Sequence, residues 1–166
     1  MTLRLLTLLG LVALAACGSG RDPALEGAVT AEEVDGAAGD AGPDRPGRPG
    51  LVLTVELPEE LVAGRPVTWH LTVANGTEEG VALAFPSGQQ GEVVLTGTDG
   101  AEAYRWSDGM LFGQALTEVA VEAGGEVTFE LPGALEVEPG SYVLVASVGS
   151  APAPGALTRS VTVAGS

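Results

Sequence analysis

The stretch "VTWHLTV", residues 67–73, alternates apolar and polar side chains without interruption. Its odd-numbered residues are all apolar and share one face of an extended chain, whereas His70 and two threonines share the other face. This period of two is typical of a strand that buries one face. "LVLTVEL", residues 51–57, repeats the pattern, so β-structure is expected from Leu51 onward.

Further strands are predicted after these two, separated by turn signals such as Asn75-Gly76 and Pro139-Gly140. The predicted segments are 81–85, 92–98, 101–106, 116–121, 126–131, 142–148 and 157–163. Residues 142–148 are apolar on both faces, which is typical of a central strand. Seven to nine short strands without helical periodicity predict an all-β, immunoglobulin-like antiparallel β-sandwich over residues 51–166, with a small barrel as the alternative.

The same alternation assigns most aromatic residues to the core. Inward positions are predicted for Trp69, Phe85, Phe129 and Tyr142. Tyr104 and Trp106 share one face of their strand, with Arg105 on the other, and we interpret the pair as core or cross-strand packing rather than a ligand platform.

The N-terminus has the layout of a secretory signal peptide over residues 1–16. A positive charge at Arg4 precedes an apolar run that is too short to span a bilayer as a helix. Leu14-Ala15-Ala16-Cys17 resembles the bacterial lipobox, which implies cleavage between Ala16 and Cys17 and lipidation of Cys17. The alternative is an ordinary signal peptide with a chance cysteine. Lipidation predicts a membrane anchor that rests on more than one acyl chain.

A linker is predicted between this anchor and the folded domain. Residues 18–50 are rich in glycine, alanine and proline and contain no aromatic residue, so they cannot bury enough apolar surface to fold. The predicted organisation is a lipoprotein signal peptide at 1–16, a lipid anchor and flexible linker at 17–50, and the β-domain at 51–166. The expected location is the cell envelope, outside the cytoplasm.

The charge of the chain restricts its partners. The net charge is −15, and the chain contains no lysine. Such a surface repels phosphate backbones and anionic lipids, which argues against nucleic-acid binding and leaves the acyl chains to hold the membrane. We interpret the acidity as favouring solubility rather than as a site for a basic partner.

Catalysis and metal binding are not supported by the residues present. The single histidine, His70, is expected on the exposed face of a strand, and Cys17 is used by the anchor. No Gly-x-Ser-x-Gly elbow and no metal-ligand spacing is found in the sequence. We therefore predict no catalytic residues, no metal, no cofactor and no enzymatic activity.

Four segments between residues 67 and 148 together resemble a known family. In order they are "LTVANGTEEGVALAFPSGQQ", "DGAEAYRWSDGMLFGQAL", "VEAGGEVTFELPG" and "VEPGSYVLVASV". This series resembles the BsuPI-type intracellular proteinase inhibitor domain. The resemblance implies a β-domain that binds a protease, and a serine protease is the expected partner.

Two segments are candidate binding loops. Met110, Leu111 and Phe112 follow a turn signal, and exposed apolar loop residues can anchor an interface. Subtilisin-like enzymes accept large apolar side chains, so Met110 or Leu111 could occupy such a pocket, whereas Phe112 is also suited to inward packing.

The second candidate loop carries Ser87, Gln89 and Gln90, which would present polar groups at a turn. The predicted function is a lipid-anchored, extracytoplasmic binding module that resembles a proteinase inhibitor. The alternative is a structural or assembly module of the cell envelope, which binds another envelope protein or a glycan without inhibiting a protease.

Overall fold

The computed structural model describes residues 47–166, which form ten β-strands and no helix. The strands are β1 (Leu51–Glu56), β2 (Leu61–Val62), β3 (Pro66–Asn75), β4 (Val81–Phe85), β5 (Gly91–Gly97), β6 (Glu102–Arg105), β7 (Thr117–Val121), β8 (Glu126–Ala134), β9 (Gly140–Val148) and β10 (Leu157–Ala164). Within this part of the chain, no helix is long and apolar enough to cross a membrane. The predicted signal peptide, the cleavage site between Ala16 and Cys17, the lipidated Cys17 and most of the linker lie outside the described residues.

The strands form three sheets around a common core. One sheet has the order β2-β10-β9-β5-β6, the second β1-β3-β8, and the third pairs β4 with β7. All pairings are antiparallel except that of β10 with β2. Inward side chains from all three sheets join one cluster of buried apolar residues, so the predicted all-β sandwich is confirmed. Strand β9 lies between β10 and β5, in the central position that its two apolar faces predict.

The core is built where the alternating patterns meet. Trp69 is completely buried, as are Leu71 and Val73 on the same face of β3. Phe85 and Phe129 meet edge to face, with ring centroids 5.4 Å apart, and this contact joins the β4–β7 sheet to the β1-β3-β8 sheet. These three aromatic residues occupy the inward positions predicted for them. Tyr142 is only half-buried, because its hydroxyl reaches outward and donates to the carbonyl of Glu138 at 2.7 Å.

The structure contains one short strand that the sequence pattern did not predict. Strand β2 has two residues and pairs in parallel with the Val163–Ala164 end of β10. Two residues are too few for an alternating pattern to show. The described strands therefore number ten rather than seven to nine.

A buried asparagine fixes the turn after β3. The amide nitrogen of Asn75 donates to the carbonyls of Glu79 at 2.8 Å and of Val121 and Glu122 at 3.1 Å. Its oxygen accepts from the backbone N–H of Thr77 at 3.1 Å and from the hydroxyl of the same residue at 2.7 Å. Asn75 thereby holds the end of β3 against the start of β4 and the end of β7, which sets the position of the β4–β7 pair.

Candidate functional site

The two candidate binding loops lie side by side. Residues 86–90 connect β4 to β5, and residues 106–116 connect β6 to β7. The backbone N–H of Gly88 donates to the carbonyl of Gly113 at 2.8 Å, so the two connections are bonded to each other. The sequence alone indicates two separate candidate loops, whereas the structure joins them in one surface, which we call the two-loop surface. That either loop binds a partner remains a prediction.

Large apolar side chains project from the longer loop. Leu111 is fully exposed at 100%, Leu116 is 83% exposed, and Met110 is 39% exposed. Exposed leucines on a loop contribute nothing to the core and are the side chains that an interacting protein would cover. The polar residues Ser87 and Gln89 of the shorter loop are partly buried. The two-loop surface therefore combines exposed apolar side chains from the longer loop with partly buried polar side chains from the shorter loop.

Phe112 points the other way from its neighbour Leu111. It is partly buried and packs against Trp106, with ring centroids 5.7 Å apart and ring planes at 38°. Of the three adjacent apolar residues, Leu111 is therefore the one displayed and Phe112 the one that holds the loop to the domain.

Trp106 provides the base on which the loop rests. It is buried; its backbone N–H donates to the carbonyl of Val93 at 2.9 Å, and its indole N–H donates to the carbonyl of Pro132 at 3.0 Å. These bonds attach the first residue of the loop to β5 and to β8. The loop thus starts from a rigid position.

The chain reverses direction directly after Trp106. The backbone N–H of Asp108 donates to the carbonyl of Arg105 at 3.1 Å, and that of Met110 donates to the carbonyl of Ser107 at 3.0 Å. Gly109 has a φ of 72°, in the left-handed region that glycine adopts without steric cost. This turn directs Met110 and Leu111 toward solvent.

The carboxylate of Glu92 accepts hydrogen bonds from both loops. One oxygen accepts the side-chain N–H of Gln89 at 3.0 Å and the hydroxyl of Ser107. The other oxygen accepts the backbone N–H groups of Ser107 at 3.2 Å and of Val93 at 3.1 Å. The Glu92 side chain is 15% exposed, and the guanidinium of Arg105 approaches it to 3.6 Å. One partly buried acid thus contacts a residue in each loop.

Arg105 continues this polar network to the surface. It binds Glu102 with two hydrogen bonds, from Nε at 3.0 Å and from a terminal nitrogen at 2.5 Å. The hydrogen bond from the Arg105 guanidinium lowers the pKa of the Glu102 carboxyl. Arg105 therefore stands between two carboxylates, Glu92 and Glu102, and offsets part of their charge.

The predicted absence of catalytic and metal sites remains a prediction. His70 lies half-exposed on β3, as the sequence pattern predicts, with Nδ1 3.9 Å from a carboxylate oxygen of Glu130. Within residues 47–166, no group of three or more histidine, cysteine or acidic side chains is placed to hold a metal ion.

The candidate site lies within a segment that matches a known protein family. Residues 53–153, well over half of the chain, match the family described as BsuPI, intracellular proteinase inhibitor. The chain belongs to the BsuPI family. The match includes both loops of the two-loop surface, Glu92 beneath them, and Asn75. The BsuPI domain is thus the part of the chain that carries the candidate site.

Comparison with solved structures gives distant likenesses only. A β-glucosidase from Listeria innocua in complex with gluconolactone is 17% identical with a TM-score of 0.42, over 69% of this chain and 16% of the enzyme. The C-terminal domain of wzt is 15% identical with a TM-score of 0.47, over 72% of this chain and 75% of that domain. A superoxide reductase (neelaredoxin) from Ignicoccus hospitalis is 18% identical with a TM-score of 0.33, over 69% of this chain and 80% of the reductase.

The BsuPI chain spans only 16% of the length of the β-glucosidase. At these identities and TM-scores, the likenesses say nothing about what the BsuPI chain binds. No curated protein that was compared with the sequence matches it.

Proposed function

We propose that this BsuPI domain inhibits a serine protease of subtilisin-like specificity by inserting Leu111 into the primary pocket of the enzyme. The observation that carries the proposal is the opposite orientation of two adjacent residues. Leu111 is fully exposed, while Phe112 packs on Trp106. A large apolar side chain that is held outward in this way suits a pocket that accepts leucine.

The surroundings of Leu111 suit the cleft of a protease. Met110 precedes it and Leu116 follows it, and both are exposed, so they can cover apolar walls beside the pocket. Ser87 and Gln89 of the neighbouring loop add polar groups at the edge of the contact. An apolar centre with a polar rim is the usual composition of a protein interface.

The loop is also ordered before the partner arrives. The Gly88–Gly113 hydrogen bond and the Phe112–Trp106 contact hold its middle to the domain. Binding then orders few additional residues, and this lowers the entropic cost of association. A held loop is therefore expected to bind more tightly than a free peptide of the same sequence.

An inhibition titration tests this proposal. The full chain, carrying Cys17→Ser so that no lipid is attached, is titrated against a subtilisin-like enzyme and a trypsin-like enzyme. We expect inhibition of the subtilisin-like enzyme and weaker or no inhibition of the other, because the pocket of the latter prefers a basic side chain. If neither enzyme is inhibited by micromolar protein, the proposal fails. Capture of a non-protease envelope protein would then favour the structural or assembly module.

We further propose that the protein is held at the cell envelope by lipid on Cys17. The support comes from the sequence, in which the lipobox-like residues 14–17 end an apolar signal-like run and precede a glycine-rich linker. The mature protein is then expected to begin at Cys17, to carry acyl mass and to partition with membranes. Mass spectrometry of the wild-type protein and of Cys17→Ser distinguishes the outcomes, and an unmodified thiol on a protein that begins elsewhere would contradict the proposal.

A further inference from the structure

We infer that Glu92 is the positioning residue of the two-loop surface. It holds the longer loop in place and thereby limits cleavage of that loop by a protease. Its carboxylate accepts hydrogen bonds from Gln89 in one loop and from Ser107 in the other. The positioning role stands on these contacts alone. Its consequence for inhibition rests on the function proposed above.

The arrangement makes the Glu92 contacts strong and hard to replace. The acceptor is a carboxylate whose side chain is only 15% exposed, so water competes poorly for the same donors. The two bonds to Ser107 fix both the backbone and the hydroxyl of that residue. Ser107 in turn accepts the backbone N–H of Met110 and so closes the turn before Leu111. Loss of the carboxylate therefore frees the turn that aims Leu111.

Holding both sides of Leu111 matters for the chemistry that a protease performs. Cleavage after Leu111 begins when the serine oxygen of the protease bonds to the Leu111 carbonyl carbon. The C–N bond to Phe112 then breaks, and the serine proton goes to the Phe112 nitrogen. Water next replaces the serine oxygen at that carbon and returns a proton to the serine. Before the water attacks, the Phe112 amine can return to the carbonyl carbon and release the serine, provided that it stays nearby. The Phe112 ring on Trp106 holds the amine side, and Ser107 on Glu92 holds the carbonyl side. Release of either side favours hydrolysis.

The experiment compares loop cleavage in four full-length proteins that all carry Cys17→Ser: the parent, Glu92→Ala, Glu92→Gln and Glu126→Ala. Glu126 is an exposed acid at the start of β8 and serves as the matched control for removal of a carboxylate. Each protein is incubated with subtilisin, and products cut within residues 106–116 are followed by mass spectrometry. Inhibition is measured in the same samples.

We expect Glu92→Ala to be cut in the loop about tenfold faster than the parent, or more, as loss of hydrogen bonds to a charged acceptor implies. Glu92→Gln, which keeps an acceptor oxygen but loses the charge, is expected to lie between the two. Glu126→Ala is expected to match the parent. Equal cleavage rates for Glu92→Ala and the parent overturn the inference.

The two proposals fail in different ways. If the parent does not inhibit but Glu92→Ala is still cut faster, the proposed function is wrong and the positioning role stands. If the parent inhibits and Glu92→Ala inhibits and resists cleavage equally well, the positioning role is wrong and the proposed function stands. If circular dichroism shows that Glu92→Ala is unfolded, Ser107→Ala is used to test the positioning role instead, because it removes only the hydroxyl that donates to Glu92. Its loop must then be cut faster than that of the parent.

Discussion

Trp69 donates its indole N–H to the hydroxyl of Tyr104 at 3.3 Å, and this bond links β3 of the three-stranded sheet to β6 of the five-stranded sheet. The two rings lie 6.2 Å apart at 51°. Trp69 is completely buried, so the phenol oxygen satisfies a donor that would otherwise lack a partner. Because β6 leads directly into Trp106 and the longer loop, the same bond also fixes the strand from which Leu111 is presented.

Replacement of Tyr104 by phenylalanine should show how much this hydrogen bond contributes to stability. Tyr104→Phe keeps the ring but leaves the Trp69 N–H without its acceptor, so the free energy of unfolding should fall by about 1–3 kcal/mol. Urea denaturation followed by tryptophan fluorescence measures the change. A variant as stable as the parent would show that the bond contributes nothing net.

Stability should also fall at alkaline pH through Tyr104. Burial raises the pKa of Tyr104 above its ordinary value, although the hydrogen bond from Trp69 opposes the shift. The folded state therefore keeps the phenolic proton at pH values where the unfolded state releases it. The free energy of unfolding should thus decline as the pH rises from about 10 through the pKa of the folded state. Denaturation series from pH 8 to 11 check this, and the decline should be smaller in Tyr104→Phe.

Leu111→Ala should separate binding from folding. If Leu111 is the anchor of an inhibitory loop, its truncation should cost about 2 kcal/mol of affinity, roughly a 30-fold loss. The free energy of unfolding should not change, because the side chain is fully exposed. The matched control is Val52→Ala, which shortens an exposed apolar residue on β1. It should change neither the affinity for the protease nor the free energy of unfolding. If Leu111→Ala inhibits as strongly as the parent, the anchor of the inhibitory contact lies in another part of the surface.

Phe112→Ala should behave differently from Leu111→Ala. Removing the ring exposes Trp106 and releases the loop, so we expect the free energy of unfolding to fall by about 1–2 kcal/mol, less than for a fully buried phenylalanine. Inhibition should weaken as well, since Leu111 is then no longer held. Thermal unfolding and inhibition are measured on the same preparation. A loss of affinity without any loss of stability would indicate that Phe112 itself contacts the protease.

Asn75 should be among the residues least tolerant of change. Asn75→Asp replaces an amide donor with an acceptor that faces the carbonyls of Glu79, Val121 and Glu122. We expect destabilisation of about 3 kcal/mol or more, since one oxygen of a buried carboxylate would face three carbonyls without a donor. The loss should shrink at low pH, where the carboxyl group is protonated and can donate again. Denaturation at pH 4 and pH 7 tests both statements, and equal stability of variant and parent would refute them.

The strands could be predicted because alternation is local. Each of the nine predicted segments overlaps one strand, and residues 81–85 match β4 without any shift. Their pairing could not be predicted, because the contacts of β3 with β8 and of β5 with β9 join distant parts of the chain. No pattern inside a single strand specifies its neighbour in the sheet.

The candidate site was predicted only in part for the same reason. The sequence identifies residues 110–112 as an apolar group after a turn. It cannot show that Phe112 packs against Trp106 while Leu111 is exposed to solvent. Glu92 was missed because it occupies an outward position of β5, and exposed acids are common in a chain with a net charge of −15. Its importance comes from Gln89 and Ser107, which only the folded chain places around it.

The complete exposure of Leu111 has a consequence for how such a domain can diverge. Replacing a side chain that packs against nothing in its own domain changes stability by no more than about 0.5 kcal/mol. If Leu111 anchors the proposed contact with a protease, selection at this position therefore acts on binding of that protease rather than on folding. A single codon change, to arginine for example, could redirect the domain toward a trypsin-like enzyme while Phe112, Trp106 and Glu92 stay as they are. Target choice can then evolve quickly on an architecture that changes slowly.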